Sequence, residues 1–272
     1  MNEIITVDTI QQCNKLLHEE TLYPLVSVAC LQNLKEGSLL QMSFYAVLMR
    51  MHTKNILCGW MPCDYSDGTV VFLAPGQLLP VKGCGTGFAE PCLLLSFHPD
   101  FIKNTTLGKH FGDYSFFHYR QNEALHVSAR EKRVLQNAVE SIDDELRWGI
   151  DEYSKTLLLN KIELFLNYCA RFYKRQFITR HEVNCDLVGR VDKLTHNYFL
   201  TRQVLTKGLP SAKYCARMLN LSPAYFEDLL RHETGKNIAE YIQLKRVSIA
   251  QEQLRRTDKS VAAIAEELGY TS

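Results

Sequence analysis

No stretch of this sequence approaches the roughly 20 consecutive apolar residues that a membrane-spanning helix needs. The opening MNEIITVDTIQQC also lacks the basic start and apolar centre of a secretory leader. These two absences lead us to expect a cytoplasmic protein with no membrane partner. The nine cysteines are odd in number, and Cys13, Cys30, Cys58, Cys63, Cys84, Cys92, Cys169, Cys185 and Cys215 show no paired short spacing. That argues against a disulfide framework and a zinc cluster, and the expected role of each is a small reduced hydrophobe. A charge excess of one sign is missing too. The whole chain carries +1, made of a mild +3 from Arg202 onward and −2 before it, which a solvated surface explains as well as a nucleic-acid partner does. No P-loop, dinucleotide fingerprint or nucleophile elbow is present.

What is present is an ordinary globular composition, 46% hydrophobic and 22% charged over 272 residues, enough for two domains with separate cores. Up to about Phe117, short apolar runs alternate with Gly, Pro, Asn and Asp. The clearest runs are 25–29, 44–49, 70–73 and 93–97, with turn chemistry at 66–68 and 74–76. This is the pattern of a small β structure, a barrel or jelly roll.

From Ser128 the period becomes helical. Ser128 and Glu131 fit a capping box, followed by Val134, Leu135, Ala138, Val139, Ile142 and Leu146 at steps of three and four. A second helix carries Leu158, Ile162, Phe165, Cys169 and Phe172 on one stripe and Leu159, Leu166 and Tyr173 on another. One stripe docks a helix on its own domain. Two suggest a partner chain as well, burial within the monomer being the alternative, so Leu158, Ile162 and Leu166 are the candidate dimerisation residues. The polar stretch 174–184 reads as a linker. A third helix, with Leu187, Val191, Leu194 and Tyr198, runs toward the turn at 208–210.

The most specific feature is an internal repeat. Residues 211–222 (SAKYCARMLNLS) align with 260–271 (SVAAIAEELGYT) at an offset of 49. Each copy starts with a serine suited to N-capping, places a small residue at the helix crossing (Ala216, Ala265), a leucine three later (Leu219, Leu268), and then a residue that tolerates positive φ (Asn220, Gly269). A tight turn between two helices at about 90–120° needs this set. In the first copy the next helix is fully written: Ser222 as N-cap, Pro223 at the first position, Phe226, Leu229 and Leu230 inward, and Gly235 at the end. In the second copy that helix is expected to begin at Ser272, so this motif is expected to be incomplete.

The stretch LNLSPAYFEDLLRHETGKNIAEYIQLKRVSIAQEQLRRTDKSVAAIAEELGYTS (219–272) resembles the DNA-binding domain of AraC-family transcription regulators. It carries the Glu233-Thr-Gly-Lys236 run, the Tyr241, Arg246, Ala250, Leu254 spacing and Thr257-Asp258-x-Ser260. A looser likeness to the cupin-type sensor and helical hairpin of such regulators rests on FLAPGQ (72–77), SFHPDFI (96–102), LGKHFGDYSFFHY (107–119) and LNKIELFLNYCARFYKRQF (159–177).

The resemblance implies an α+β chain. A small β-barrel or cupin-like domain that senses a small-molecule effector spans 1–120, a helical dimerisation hairpin and linker 121–180, and an all-α helix-turn-helix domain 186–272. It implies a transcription regulator, activator or repressor, that binds double-stranded DNA as a homodimer and contacts RNA polymerase. Each motif would lay its second helix in the major groove, with the connecting helix setting their spacing. The base-reading positions of the family fall on Ala224, Glu227 and Asp228. Here the sequence departs from the usual basic or large polar residues, since acids can accept from cytosine N4 but repel phosphate. Ser222, at the same helix start, is expected at the DNA as well. Arg231 and Lys236, with Lys213, Arg217, Lys245 and Arg246, suit phosphate contacts. Tyr225 suits a sugar or thymine methyl, or else the edge of the core.

Metal-bearing cupins pair histidines as H-x-H, and His52, His98, His110, His118 and His126 never have that spacing. An enzyme, a cofactor and a metal are therefore not expected. Phe44, Trp60, Phe72, Phe88 and Phe97 are left to either an effector pocket or the core.

Overall fold

The computed structural model describes residues 4–31, 38–50, 57–58, 61–62, 67–80 and 92–270. The chain divides into two compact units, Met1–Gln176 and Phe177–Ser272. His52, Trp60, Cys63, Ser66, Cys84, Phe88 and Ser272 lie outside the described residues.

The first unit opens with β1 (Ile4–Val7), α1 (Ile10–Leu17), β2 (Val26–Leu31), β3 (Leu39–Met42) and β4 (Tyr45–Arg50). It continues with β5 (Leu57–Cys58), β6 (Met61–Pro62), β7 (Gly68–Leu73), β8 (Leu78–Pro80) and β9 (Cys92–Phe97). Two short helices, α2 (Pro99–Ile102) and α3 (Thr106–His110), lead through 3-10 turns to β10 (Leu125–Val127) and the long helices α4 (Ala129–Arg147) and α5 (Ser154–Thr179). The four apolar runs expected as strands are β2, β4, β7 and β9, and all four belong to one sheet of order β10-β7-β4-β9-β2. A second sheet has the order β1-β3-β8.

Alternation along the strands explains why both faces of the larger sheet are apolar. Ala46, Leu48, Val71, Leu73 and Leu94 face a core shared with Leu40, Met42 and Leu79 of the smaller sheet and with Ile10, Cys13 and Leu17 of α1. The alternate residues Phe72 and Phe97 meet an aromatic layer, with ring centroids 4.3 Å apart for Phe72 and Phe116 and 5.4 Å for Tyr45 and Phe97. Phe44, Phe72 and Phe97 are core residues. Among the described residues the sheets do not close into the expected barrel: β10 and β2 end one sheet, β1 and β8 the other.

Two expectations need correction. Leu158, Ile162 and Leu166 are fully buried within the chain and present nothing to a partner. Leu158, Ile162, Phe165, Cys169 and Phe172 of one stripe and Leu166 and Tyr173 of the other are buried. Lys161 bonds α4 through Glu145 at 3.0 Å and the Ser141 carbonyl at 2.8 Å, and Tyr173 stacks on Phe116 at 5.3 Å. The large apolar side chains of α5 left exposed are Leu157, Leu164 and Ile178.

The stretch 174–184 is not an irregular linker. α5 runs to Thr179 and α6 (His181–Leu200) follows after Arg180. Its helix is held by polar contacts in place of an apolar stripe, which hides it from a hydrophobic period. Arg175 pairs with Glu131 at 2.7 Å and bonds the His126 carbonyl at 2.6 Å. Gln176 accepts from the His126 amide and donates to the Ala124 carbonyl, while Asn184 donates to the Phe177 carbonyl at 3.0 Å.

The second unit continues with α7 (Gln203–Lys207), α8 (Ala212–Met218), α9 (Pro223–Thr234), α10 (Ile238–Arg256) and α11 (Val261–Glu267). Two apolar clusters form along α6 and α10. One joins Val191, Cys215, Ala216, Leu219, Phe226 and Leu230. The other joins Tyr198, Phe199, Val204, Ile242, Ile249, Ile264 and Leu268. Among the described residues of both units, no helix is long and apolar enough to cross a membrane.

Candidate nucleic-acid interface

The site is built on the internal repeat, whose two copies fold alike. Ser211 accepts a hydrogen bond from the Tyr214 amide and Ser260 one from the Ala263 amide, both at 3.2 Å. At the far end of α8 the Leu221 amide bonds the Ala216 carbonyl at 2.9 Å and the Asn220 amide bonds the Arg217 carbonyl at 3.2 Å. At the far end of α11 the Tyr270 amide bonds the Ala265 carbonyl and the Gly269 amide the Glu266 carbonyl, each at 2.9 Å. This pair of bonds is the Schellman closure, and it requires a left-handed residue just past the helix. Asn220 has φ 59° and Gly269 φ 74°, so both stand in that conformation.

Beyond the first turn, the Ser222 hydroxyl accepts from the Tyr225 amide at 3.2 Å, Pro223 occupies the first turn of α9, and Gly235 ends it at φ 69°. Fully buried Ala216 lies in the cluster with Phe226 and Leu230, a crossing that a larger side chain would prop apart. α9 buries Tyr225, Phe226, Leu229 and Leu230. Its opposite face gathers Ala224, Glu227, Asp228 and Arg231, spaced three, four and seven residues from Ala224 and therefore neighbours on one side of the helix. Glu227 and Arg231 are exposed, while Ala224 and Asp228 are half-buried. Lys213 and Arg217 are exposed on α8 one turn apart.

Residues 215–272 match the family of the helix-turn-helix domain. The match starts within α8 and takes in both left-handed turns. It covers well under half of the chain, so this domain is identified in the C-terminal segment alone. No curated protein and no solved structure matches the chain.

Within the helix-turn-helix domain several residues expected at DNA have other employment. Tyr225 is buried, with its ring 5.4 Å from that of Phe177, and offers no face to a sugar or a thymine methyl. Ser222 is buried as the cap of α9. Arg246 is 4% exposed. Its Nε donates to the Leu268 carbonyl at 3.1 Å, a terminal nitrogen donates to Gln243 at 2.8 Å, and its guanidinium lies 3.6 Å from the centre of the Tyr270 ring. It closes the C-terminal end of α11 rather than reaching a phosphate. Lys245 pairs with Asp192 at 2.5 Å. Lys236 is half-buried and turns its ammonium to the Thr234 carbonyl at 3.3 Å. Of the cations expected at phosphate, Lys213, Arg217 and Arg231 remain exposed.

Glu233 was not singled out as an anchor by sequence pattern. Its side chain is only 5% exposed, and Asn184 and His232 donate to Oε1 at 3.0 and 3.2 Å. Burial pushes this carboxyl up, but hydrogen bonds from Asn184, His232 and His181 outweigh it and leave the pKa below the ordinary carboxylate value. An acid next to a histidine at the end of an amphipathic helix was the available signal. Its partner on α6 lies far away in sequence. The second helix expected from Ser272 lies outside the described residues.

Proposed function

We propose that the chain is a sequence-specific, DNA-binding transcription regulator of the AraC type, not an enzyme. The observation that carries this reading is the duplicated cap, helix and left-handed turn at either end of α10, together with the matched helix-turn-helix domain. With 19 residues, α10 is a rod of about 28 Å, comparable with the ~34 Å of one DNA turn. Ala224, Glu227 and Asp228 read base edges, and Arg231, Lys213 and Arg217 supply phosphate contacts.

Selection from random duplexes with the full chain yields the operator, and fluorescence anisotropy against salt tests the roles. Arg231→Ala should weaken binding about equally on operator and scrambled DNA and flatten the log–log salt slope by about 0.9. Glu227→Gln should change sequence preference instead. Equal affinity for all duplexes at all salt concentrations in both variants would remove the DNA-reading role of α9.

The finer part of the proposal is control by a small molecule bound in the N-terminal domain and action as a homodimer that contacts RNA polymerase. The resemblance of the N-terminal runs supports the effector. For the dimer, the exposed apolar side chains of Trp148, Ile150, Tyr153, Leu157 and Leu164, on α5 and the turn before it, supply a surface for a second copy. Leu157→Asp with Leu164→Asp should give a folded monomer by sedimentation. Leu158→Asp, which puts a charge into the core, should lose the fold. An unmutated chain that sediments as a monomer at tens of micromolar would refute the dimer.

A further inference from the structure

The N-terminal turn of α6 and the end of α9 bring together donors that their chain positions keep apart. His181 and Cys185 stand one helical turn apart on α6 and share a face. Nδ1 of His181 lies 2.9 Å from Oε2 of Glu233. Sγ of Cys185 lies 3.4 Å from Nε2 and 3.7 Å from Nδ1 of the same ring. One donor atom from each of the three residues fits within 4.8 Å of the others, the one such trio of metal-ligating side chains among the described residues.

We propose that His181, Cys185 and Glu233 bind a divalent transition-metal ion of zinc-like softness. Tetrahedral zinc with bonds of about 2.0–2.3 Å holds nitrogen and sulfur about 3.5 Å apart and nitrogen and oxygen about 3.3 Å apart. The observed 3.7 and 2.9 Å between Nδ1 and its two neighbours bracket these values, so small side-chain rotations suffice. A thiolate and a carboxylate with a neutral imidazole balance the charge of a divalent ion. The mixed nitrogen, sulfur and oxygen set disfavours magnesium and calcium, which take oxygen ligands.

The surroundings favour a metal over a simple hydrogen-bonded pair. Asn184, 1% exposed, and His232 direct their nitrogens at Oε1 of Glu233 and leave Oε2 to His181. Such outer partners orient a ligating carboxylate. His181 and Cys185 are exposed, so the ion reaches the site without opening the fold, and water completes its coordination. A bound ion would cross-link α6 to the end of α9. Its effect on operator affinity rests on the DNA-reading role proposed for α9, whereas metal uptake does not.

The test titrates the full reduced chain with Zn2+ and with Co2+. One equivalent of Co2+ should bind with an intense near-ultraviolet thiolate-to-metal band and the visible absorption of a tetrahedral ion. Cys185→Ser, at an exposed position, should keep the melting curve of the metal-free protein and lose the band. Glu233→Gln should weaken Zn2+ binding about tenfold or more, the range reached by losing even an outer partner. Zn2+ should raise the melting temperature of the unmutated chain but not of Cys185→Ser. A band that persists in Cys185→Ser, or no uptake at micromolar metal, overturns the site. Uptake with unchanged DNA affinity leaves the metal site standing and removes only the coupling to α9.

Discussion

Arg246→Ala is expected to lower the stability of the helix-turn-helix domain by about 3–4 kcal/mol, from the loss of charged hydrogen bonds and a desolvated cation–π contact. The guanidinium is buried and holds the Leu268 carbonyl at 3.1 Å beneath the Tyr270 ring. Removing it leaves a helix-terminal acceptor without that donor, and α11 should show the largest rise in amide exchange. Arg246→Lys should recover only part, because an ammonium cannot span the acceptors Leu268 and Gln243 as a planar fork does. Thermal unfolding with amide exchange decides. An unchanged melt with a DNA salt slope reduced by about 0.9 would return Arg246 to a phosphate.

Gly269→Ala should cost about 2–5 kcal/mol, because two penalties coincide. Any side chain at φ 74° pays the left-handed penalty of about 1–2 kcal/mol, and a Cβ there would lie 2.6 Å from Cγ2 of Val204, adding an overpacking cost of about 1–3 kcal/mol. The equivalent residue of the first copy, Asn220, already carries a side chain at φ 59°. Asn220→Gly should therefore be tolerated, and Asn220→Val should cost about 1–2 kcal/mol. Val204→Ala should relieve part of the Gly269→Ala loss in a double-mutant cycle. Equal melts for Gly269→Ala and the unmutated chain would show that this turn relaxes freely.

The duplicated turn could be read from the primary structure because every part of it is local. A serine cap, a small residue, a leucine and a left-handed residue fall within ten positions, and the bonds from Leu221 to Ala216 and from Tyr270 to Ala265 span only five. The same holds for the Ser128–Glu131 capping box and for the strands β2, β4, β7 and β9, whose apolar runs need no distant partner to be recognised.

Which arc of a helix meets the core is a different kind of fact, decided by residues far off in the chain. Tyr225 turns inward onto Phe177, and Lys245 finds Asp192. Arg246 is taken up by the carbonyl of Leu268. Leu158, Ile162 and Leu166 of α5 are buried within the chain. The end of α5 and the start of α6 within 174–184 lack an apolar stripe because Arg175, Gln176 and Asn184 anchor them through hydrogen bonds, which hydrophobic periodicity does not register. Read as a linker, that stretch gave no meaning to the one-turn spacing of His181 and Cys185. Folding supplied the third donor, Glu233, from 48 residues beyond Cys185. Local order follows from short-range backbone chemistry, whereas the employment of a polar side chain depends on the three-dimensional packing that brings distant partners within hydrogen-bond reach.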